Sequence, residues 1–325
     1  MKKSLLVVVL ASVSQILQAQ QDPQLTQWQY DRVSFNPAAA GMNCMHCLTT
    51  FHRDQWDGLD HDPKSYLFNY EGLWFDQKGL GAINGGLGLG VTFLNEVLGQ
   101  QKNTIVRLNI APKFNLNNGS TLSAGVSLGG YLSKLGANWV YIDDNDPTIP
   151  TKELSAGTFD LGFGATLYKK GQYYIGASAT HLTAGELKNL RITTARHFYL
   201  MGGYEYGINS SLTLRPNALL KTDFNATAID INADVLWNNM LWGGLAFRPG
   251  DAIAPYVGFQ TNFAPTNLGP KSDLCEHGLK IGYSYDVTTS ELKDYSAGSH
   301  EIFIAYCMRI CPIIIRAKNH NTRFL

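Results

Sequence analysis

Along most of the chain apolar and polar residues alternate with period two, the pattern of a strand whose successive side chains point to opposite faces. From Ala228, "AIDINADVLW" places Ile229, Ile231, Ala233, Val235 and Trp237 on one face and Asp230, Asn232 and Asp234 on the other. The same split sets Phe159, Leu161, Phe163, Ala165 and Leu167 against Asp160, Gly162, Gly164 and Thr166. It sets Leu279, Ile281, Tyr283 and Tyr285 against Lys280, Gly282, Ser284 and Asp286, and Ile302, Ile304, Tyr306 and Met308 against Glu301, Phe303, Ala305 and Cys307. About fourteen such segments start near residues 44, 64, 86, 103, 121, 158, 172, 196, 210, 228, 241, 254, 278 and 299. Several are about ten residues long, the length a tilted membrane-crossing strand needs.

Period two alone also suits a soluble β-sandwich or propeller with one wet face. The carboxylates at Asp230 and Asp234 argue against a sandwich core, where they would be buried unpaired. Turn residues at Asn117-Asn118-Gly119, Lys169-Lys170-Gly171 and Asn238-Asn239 predict tight hairpins, whereas Ala137 to Gly157 and Thr261 to Cys275 predict long connections. Short turns at one end and long loops at the other are the asymmetry of an outer-membrane barrel. Tyr173, Tyr174, Tyr199, Tyr204, Trp237 and Trp242 are expected to form its interfacial girdles. The fold expected is therefore all-β: a transmembrane antiparallel β-barrel of about fourteen strands.

Composition agrees. The chain has 325 residues, 32 of them Gly, with 11% aromatic residues and only 16% charged, against about 25% charged in a typical soluble domain. No helical membrane span stands out beyond the N-terminus, and a net charge of +0 with pI near 7.1 offers no basic stripe for nucleic acid. Residues 1–20, "MKKSLLVVVLASVSQILQAQ", carry Lys2 and Lys3 before a short apolar run, which reads as a secretory signal peptide cut after Ala19 or Gln20. No Cys stands there to accept lipid. Residues 21–43 are expected to form a polar segment on the periplasmic side, 44–310 the barrel in the outer membrane, and 311–325 a C-terminal tail of undefined structure.

The opening phrase Gln20-Gln21-Asp22-Pro23-Gln24 and the turn Asn36-Pro37-Ala38 with Gly41 resemble those of the PorP/SprF outer-membrane proteins of the type IX secretion system. The resemblance continues through Arg53-Asp54-Gln55-Trp56-Asp57-Gly58-Leu59, then Pro63-Lys64-Ser65-Tyr66. Further phrases are "LTLRPNALLK" from Leu212, "DINADVLW" from Asp230, "LWGGLAFRPGDA" from Leu241 and "KIGYSYDVTTSELKDYSAGSHEI" from Lys280, so it spans the mature chain. It implies a barrel that helps export, or retain at the surface, proteins with C-terminal secretion signals, including gliding adhesins. The partners implied are outer-membrane lipid, type IX components and such a cargo protein; no enzyme activity or cofactor is implied.

Asp22, Pro23, Asn36, Pro37 and Gly41, with Arg53, Trp56, Gly58, Pro63 and Tyr66, are the motif residues, either building turns or presenting a surface to partner proteins. Cys44 and Cys47 form a lone C-x-x-C whose members point to opposite strand faces, which argues against a metal. Barrel closure instead makes the first and last strands neighbours, so Cys44 or Cys47 could be bridged to Cys307 or Cys311; the alternative is free thiols. Asp143, Asp144 and Asp146 lack the Gly and closing Glu of an EF-hand and read as a solvated loop. No nucleophile elbow is present. A second function reading, a porin for small solutes, would have the face of Asp230, Asn232, Asp234, Lys280, Asp286 and Glu301 line a hydrated pore; bulky Phe303 argues for a filled one.

Overall fold

The computed structural model describes residues 23–43, 46–75, 83–137, 139, 150–183, 185–187, 189–190, 192–262 and 277–308. Fourteen long antiparallel strands close into a barrel. They are β1 (His46–Asp54), β2 (Lys64–Trp74), β3 (Leu87–Leu98), β4 (Gln101–Asn115), β5 (Thr121–Leu135), β6 (Leu154–Lys169) and β7 (Tyr173–Thr180). β8 (His197–Tyr204), β9 (Leu212–Thr222), β10 (Thr227–Trp237), β11 (Leu241–Arg248), β12 (Ala252–Asn262), β13 (His277–Thr288) and β14 (Ser299–Met308) complete it. Every start lies within four residues of the position the alternation gives. Each strand pairs with the next, and β1 pairs with β14 from His46↔Met308 to Asp54↔His300. Closure leaves no open edge, as a lipid-facing backbone requires.

The barrel is inside out relative to a soluble fold. Ile231 is 50% exposed and its neighbour Asn232 only 1%; the apolar faces of β6, β10, β13 and β14 point outward, and Asp160, Asp230, Asp234, Asp286 and Glu301 are buried inside. Three of the expected girdle aromatics break this pattern: Tyr174, Tyr199 and Trp242 are buried and pack in the interior cluster, while Tyr204 and Trp237 do face outward. They sit on inward positions, and there is something inside for them to pack against.

We call the mouth at His46 and Met308 the near mouth and the opposite one the far mouth. The tight turns at 116–120, 170–172 and 238–240 lie at the near mouth, and β5 ends and β6 begins at the far one. The expected asymmetry is not complete: β12 ends and β13 begins at the near mouth, and two-residue Gly99-Gln100 is at the far mouth; residues 140–149 and 263–276 lie outside the described residues. The connection 181–196 folds back at the far mouth, where a short ladder of Glu186–Leu187 with Ile192–Thr193 lets Leu187 and Leu190 pack on Ile105 and Tyr131.

Residues 23–43 do not stand beside the barrel on its periplasmic side; they run through its interior. The segment starts at the far mouth at Pro23, turns through Trp28–Tyr30, a single helical turn α1 (Arg32–Phe35) and Pro37–Ala39, and leaves at the near mouth by Asn43. Asn36 starts the last turn by accepting a hydrogen bond from the Ala38 N–H at 2.9 Å, with Pro37 at the first position, where its missing N–H costs nothing. Leu25, Trp28, Phe35, Ala39 and Met42 of this plug form one core with Phe51, Leu67, Tyr199, Trp242, Tyr256 and Phe303 of the wall. The inward aromatics are thus buried against the plug rather than wetted.

Candidate functional site

In the far half of the lumen the plug is held by charge. Both carboxylate oxygens of Glu301 accept plug backbone N–H groups, from Thr26 at 2.7 Å and from Gln27 at 2.8 Å. The Thr26 hydroxyl donates to Asp286 at 2.8 Å and accepts from Arg53 at 3.0 Å and Arg248 at 3.1 Å. Arg53 in turn donates to Asp286 at 2.7 Å and Glu301 at 3.4 Å. Arg248 reaches Asp230 and Asp251 at 2.6 Å each and the Gln24 side chain at 3.0 Å. Charge-assisted bonds of this kind are the strong class, and burial makes each partner costly to remove.

In the near half the plug lies on bare backbone. A Cβ on Gly164 would stand 2.0 Å from Asn36 Oδ1, one on Gly125 2.2 Å from Ala38 N, and one on Gly88 2.0 Å from Ala40 O. These inward glycines of β6, β5 and β3 form a track that only missing side chains can provide. There the Asn36 amide donates to Ala165 O and Thr166 Oγ1 at 3.1 Å and to Ala177 O at 3.3 Å. Asp31 is buried beside the wall and accepts a hydrogen bond from the Asn69 amide.

Tyr30 stacks on Phe303 at 4.8 Å and meets Trp242 in a tilted contact at 5.1 Å, and its hydroxyl accepts from Arg215, which is paired with Asp234 at 2.6 Å. Arg107 links the far wall to the plug by donating to Asp160 at 2.7 Å and to Ser34 O at 3.4 Å. One cavity opens at each mouth. The far one, about 340 Å³, is lined by Pro23, Trp56, Pro63, Glu96, Tyr131 and His197 among others; the near one is about 150 Å³. Among the described residues no three His, Cys, Asp or Glu side chains converge on a metal-sized site.

The sequence model of the type IX secretion system membrane protein PorP/SprF matches residues 17–306. The chain belongs to the PorP/SprF family. Fold and family together place it in the outer membrane with a role in type IX secretion. No curated protein sequence matches it. Among solved structures it is similar to Omp33 of Acinetobacter baumannii, at 10% identity over 82% of this chain and 99% of that one, with TM-score 0.40. It is also similar to a Pseudomonas aeruginosa FadL homologue, at 12% identity, 85% and 93% coverage and TM-score 0.47. A third is CymD, a monoaromatic hydrocarbon channel, at 10% identity, 91% and 95% coverage and TM-score 0.48.

The PorP/SprF phrases separate in space. Asn36, Pro37 and Gly41 lie in the lumen, where Gly41 has φ +67° and gives its N–H to Glu71 at 2.9 Å. Arg53 belongs to the inner charge network. Trp56, Gly58 and Pro63 form the far-mouth β1–β2 connection, which pairs with the β13–β14 connection through Asp57 N to Gly298 O at 2.8 Å and Ala297 N to Asp57 O at 2.6 Å. Tyr66 faces outward beside His52. Pro23 joins Trp56 and Pro63 at the far cavity; Asp22 lies outside the described residues, as do Asp143, Asp144 and Asp146. A disulfide joins Cys47 to Cys307, residues directly opposite in the β1–β14 register; Cys44 and Cys311 lie outside the described residues. Thr26, Arg107, Arg215 and Arg248 escaped the sequence reading. Inward period-two position was the signal for the three arginines, Thr26 of the plug carried no such period, and their partners come from segments far apart in the chain.

Proposed function

We propose that this PorP/SprF protein is a plugged barrel that binds partners, holding at the outer membrane a secreted or surface-anchored protein with a C-terminal secretion signal, gliding adhesins among them. The single observation that carries the reading is the lumen filled from mouth to mouth by residues 23–43. Asp230, Asn232, Asp234, Asp286 and Glu301 are engaged with arginines, other wall residues and the plug rather than with an open water column, which counts against the solute porin. What the plug leaves at the far mouth is a cavity of about 340 Å³ where Pro23 of one family phrase meets Trp56 and Pro63 of another. That volume is in the range of ligand pockets and takes one large apolar anchor of an extended segment.

β5 ends and β6 begins at the far mouth, which also carries the connection from β7 to β8, and this reading makes it the extracellular side. Export through a signal peptide cut after Ala19 or Gln20 is part of the reading, and no catalytic step is. The test is a mild-detergent pull-down of tagged protein from outer membranes, read by mass spectrometry. Recovery of a large surface protein with a C-terminal secretion signal, lost on Trp56→Ala, supports the proposal. A barrel that brings down no such protein and conducts ions steadily in planar bilayers overturns it in favour of the porin.

A further inference from the structure

Among the described residues, the near mouth holds cations that make no ion pair with the plug or the wall. Its cavity of about 150 Å³ is bounded by Arg32 of the plug, Lys280 of β13, Lys169 and Lys170 of the β6–β7 turn, the Arg215–Asp234 pair and Glu205. Arg32 lies over the Tyr174 ring at 4.6 Å and Lys280 over the Tyr30 ring at 5.7 Å. Both are half-buried, and neither makes an ion pair with a described residue. Keeping two partly desolvated cations without a carboxylate in contact costs stability that an apolar or amide side chain would spare. The cost is offset when an anion arrives.

We propose that the near mouth is a binding site for a carboxylate of an acidic polypeptide segment, received between Arg32 and Lys280. The Tyr174 side chain holds the guanidinium by one face, and the fork of five N–H groups suits contact with a planar carboxylate, while Lys280 supplies a second charge. The carboxylates of Glu205 and Asp234 on the same rim repel a dianion more than a monoanion, which selects carboxylate over phosphate. The cavity is large enough for one carboxylate with its methylenes, and Lys169 and Lys170 on the turn at its edge suit further acidic residues of the same segment. This site is independent of the far-mouth reading, and either can fail without the other.

The test is isothermal titration of the full-length barrel in non-ionic detergent at low salt with acetyl-triglutamate amide, against acetyl-triglutamine amide and inorganic phosphate. Folding of the Lys280→Met and Arg32→Gln variants is checked separately by heat-modifiable gel mobility. Triglutamate is expected to bind the wild type and to lose about tenfold or more in affinity in each folded variant, which corresponds to about 1.4 kcal/mol; triglutamine is expected not to bind, and phosphate to bind more weakly. Three results each overturn the proposal: no triglutamate binding, equal binding by the folded variants, or tighter binding of phosphate.

Discussion

Gly125→Ala tests whether the glycine track sets how tightly the plug is seated. The added methyl would lie 2.2 Å from Ala38 N, 2.5 Å from Ala38 Cα and 2.5 Å from Pro37 C, where ordinary contacts begin at 3.4 Å. The plug backbone must therefore retreat by about 1.2 Å, the difference between 3.4 and 2.2 Å. Asn36 is bonded to the wall at 3.1, 3.1 and 3.3 Å, so a retreat of that size breaks all three bonds. Overpacking costs roughly 1–3 kcal/mol and each of the three hydrogen bonds roughly 1 kcal/mol, about 4–6 kcal/mol together, a rise in undocked plug of about a thousandfold or more. The wall itself is spared, because Ala suits a strand and the Gly125↔Gly164 pairing is made by backbone. The assay is trypsin cleavage after Arg32 in the folded, heat-modifiable barrel, with conductance in planar bilayers as a second readout. Gly130→Ala in the same strand, whose methyl would meet only Thr158 O at 3.9 Å, is the control. A folded Gly125→Ala barrel as trypsin-resistant and as silent as the control would refute the reasoning.

Arg53→Met strands the carboxylates of Asp286 and Glu301 in the lumen and is expected to cost about 3–5 kcal/mol, read as a lower urea midpoint by tryptophan fluorescence. Non-reducing peptide mapping is expected to recover Cys47 linked to Cys307; Cys47→Ser should lose about 2–4 kcal/mol while the barrel stays closed through the nine β1–β14 residue pairs, so an unfolded variant contradicts this.

Strand number, strand starts and the facing of each strand follow from local pattern, because a barrel strand must alternate between lipid and lumen whatever its partners are. The residues of "AIDINADVLW" declare their faces without help, and so does the carboxylate of Glu301. Family membership was equally legible, since it rests on phrases read in order. The plug was not. Residues 23–43 are short of periodicity and long on turn residues, which describes a lumen insert and an external segment alike. What separates them is contact with Gly125, Gly164, Asp286 and Glu301, which stand 87 to 275 positions away along the chain, as from Ala38 to Gly125 and from Thr26 to Glu301. The same contacts turned Tyr174, Tyr199 and Trp242 from expected girdle residues into core, because an inward aromatic is stable only once something apolar fills the space before it. Sequence alone therefore determined the wall, whose physics is set residue by residue by lipid on one side. Only the tertiary structure decided what fills it, since packing and charge pairing are properties of residues brought together by closure.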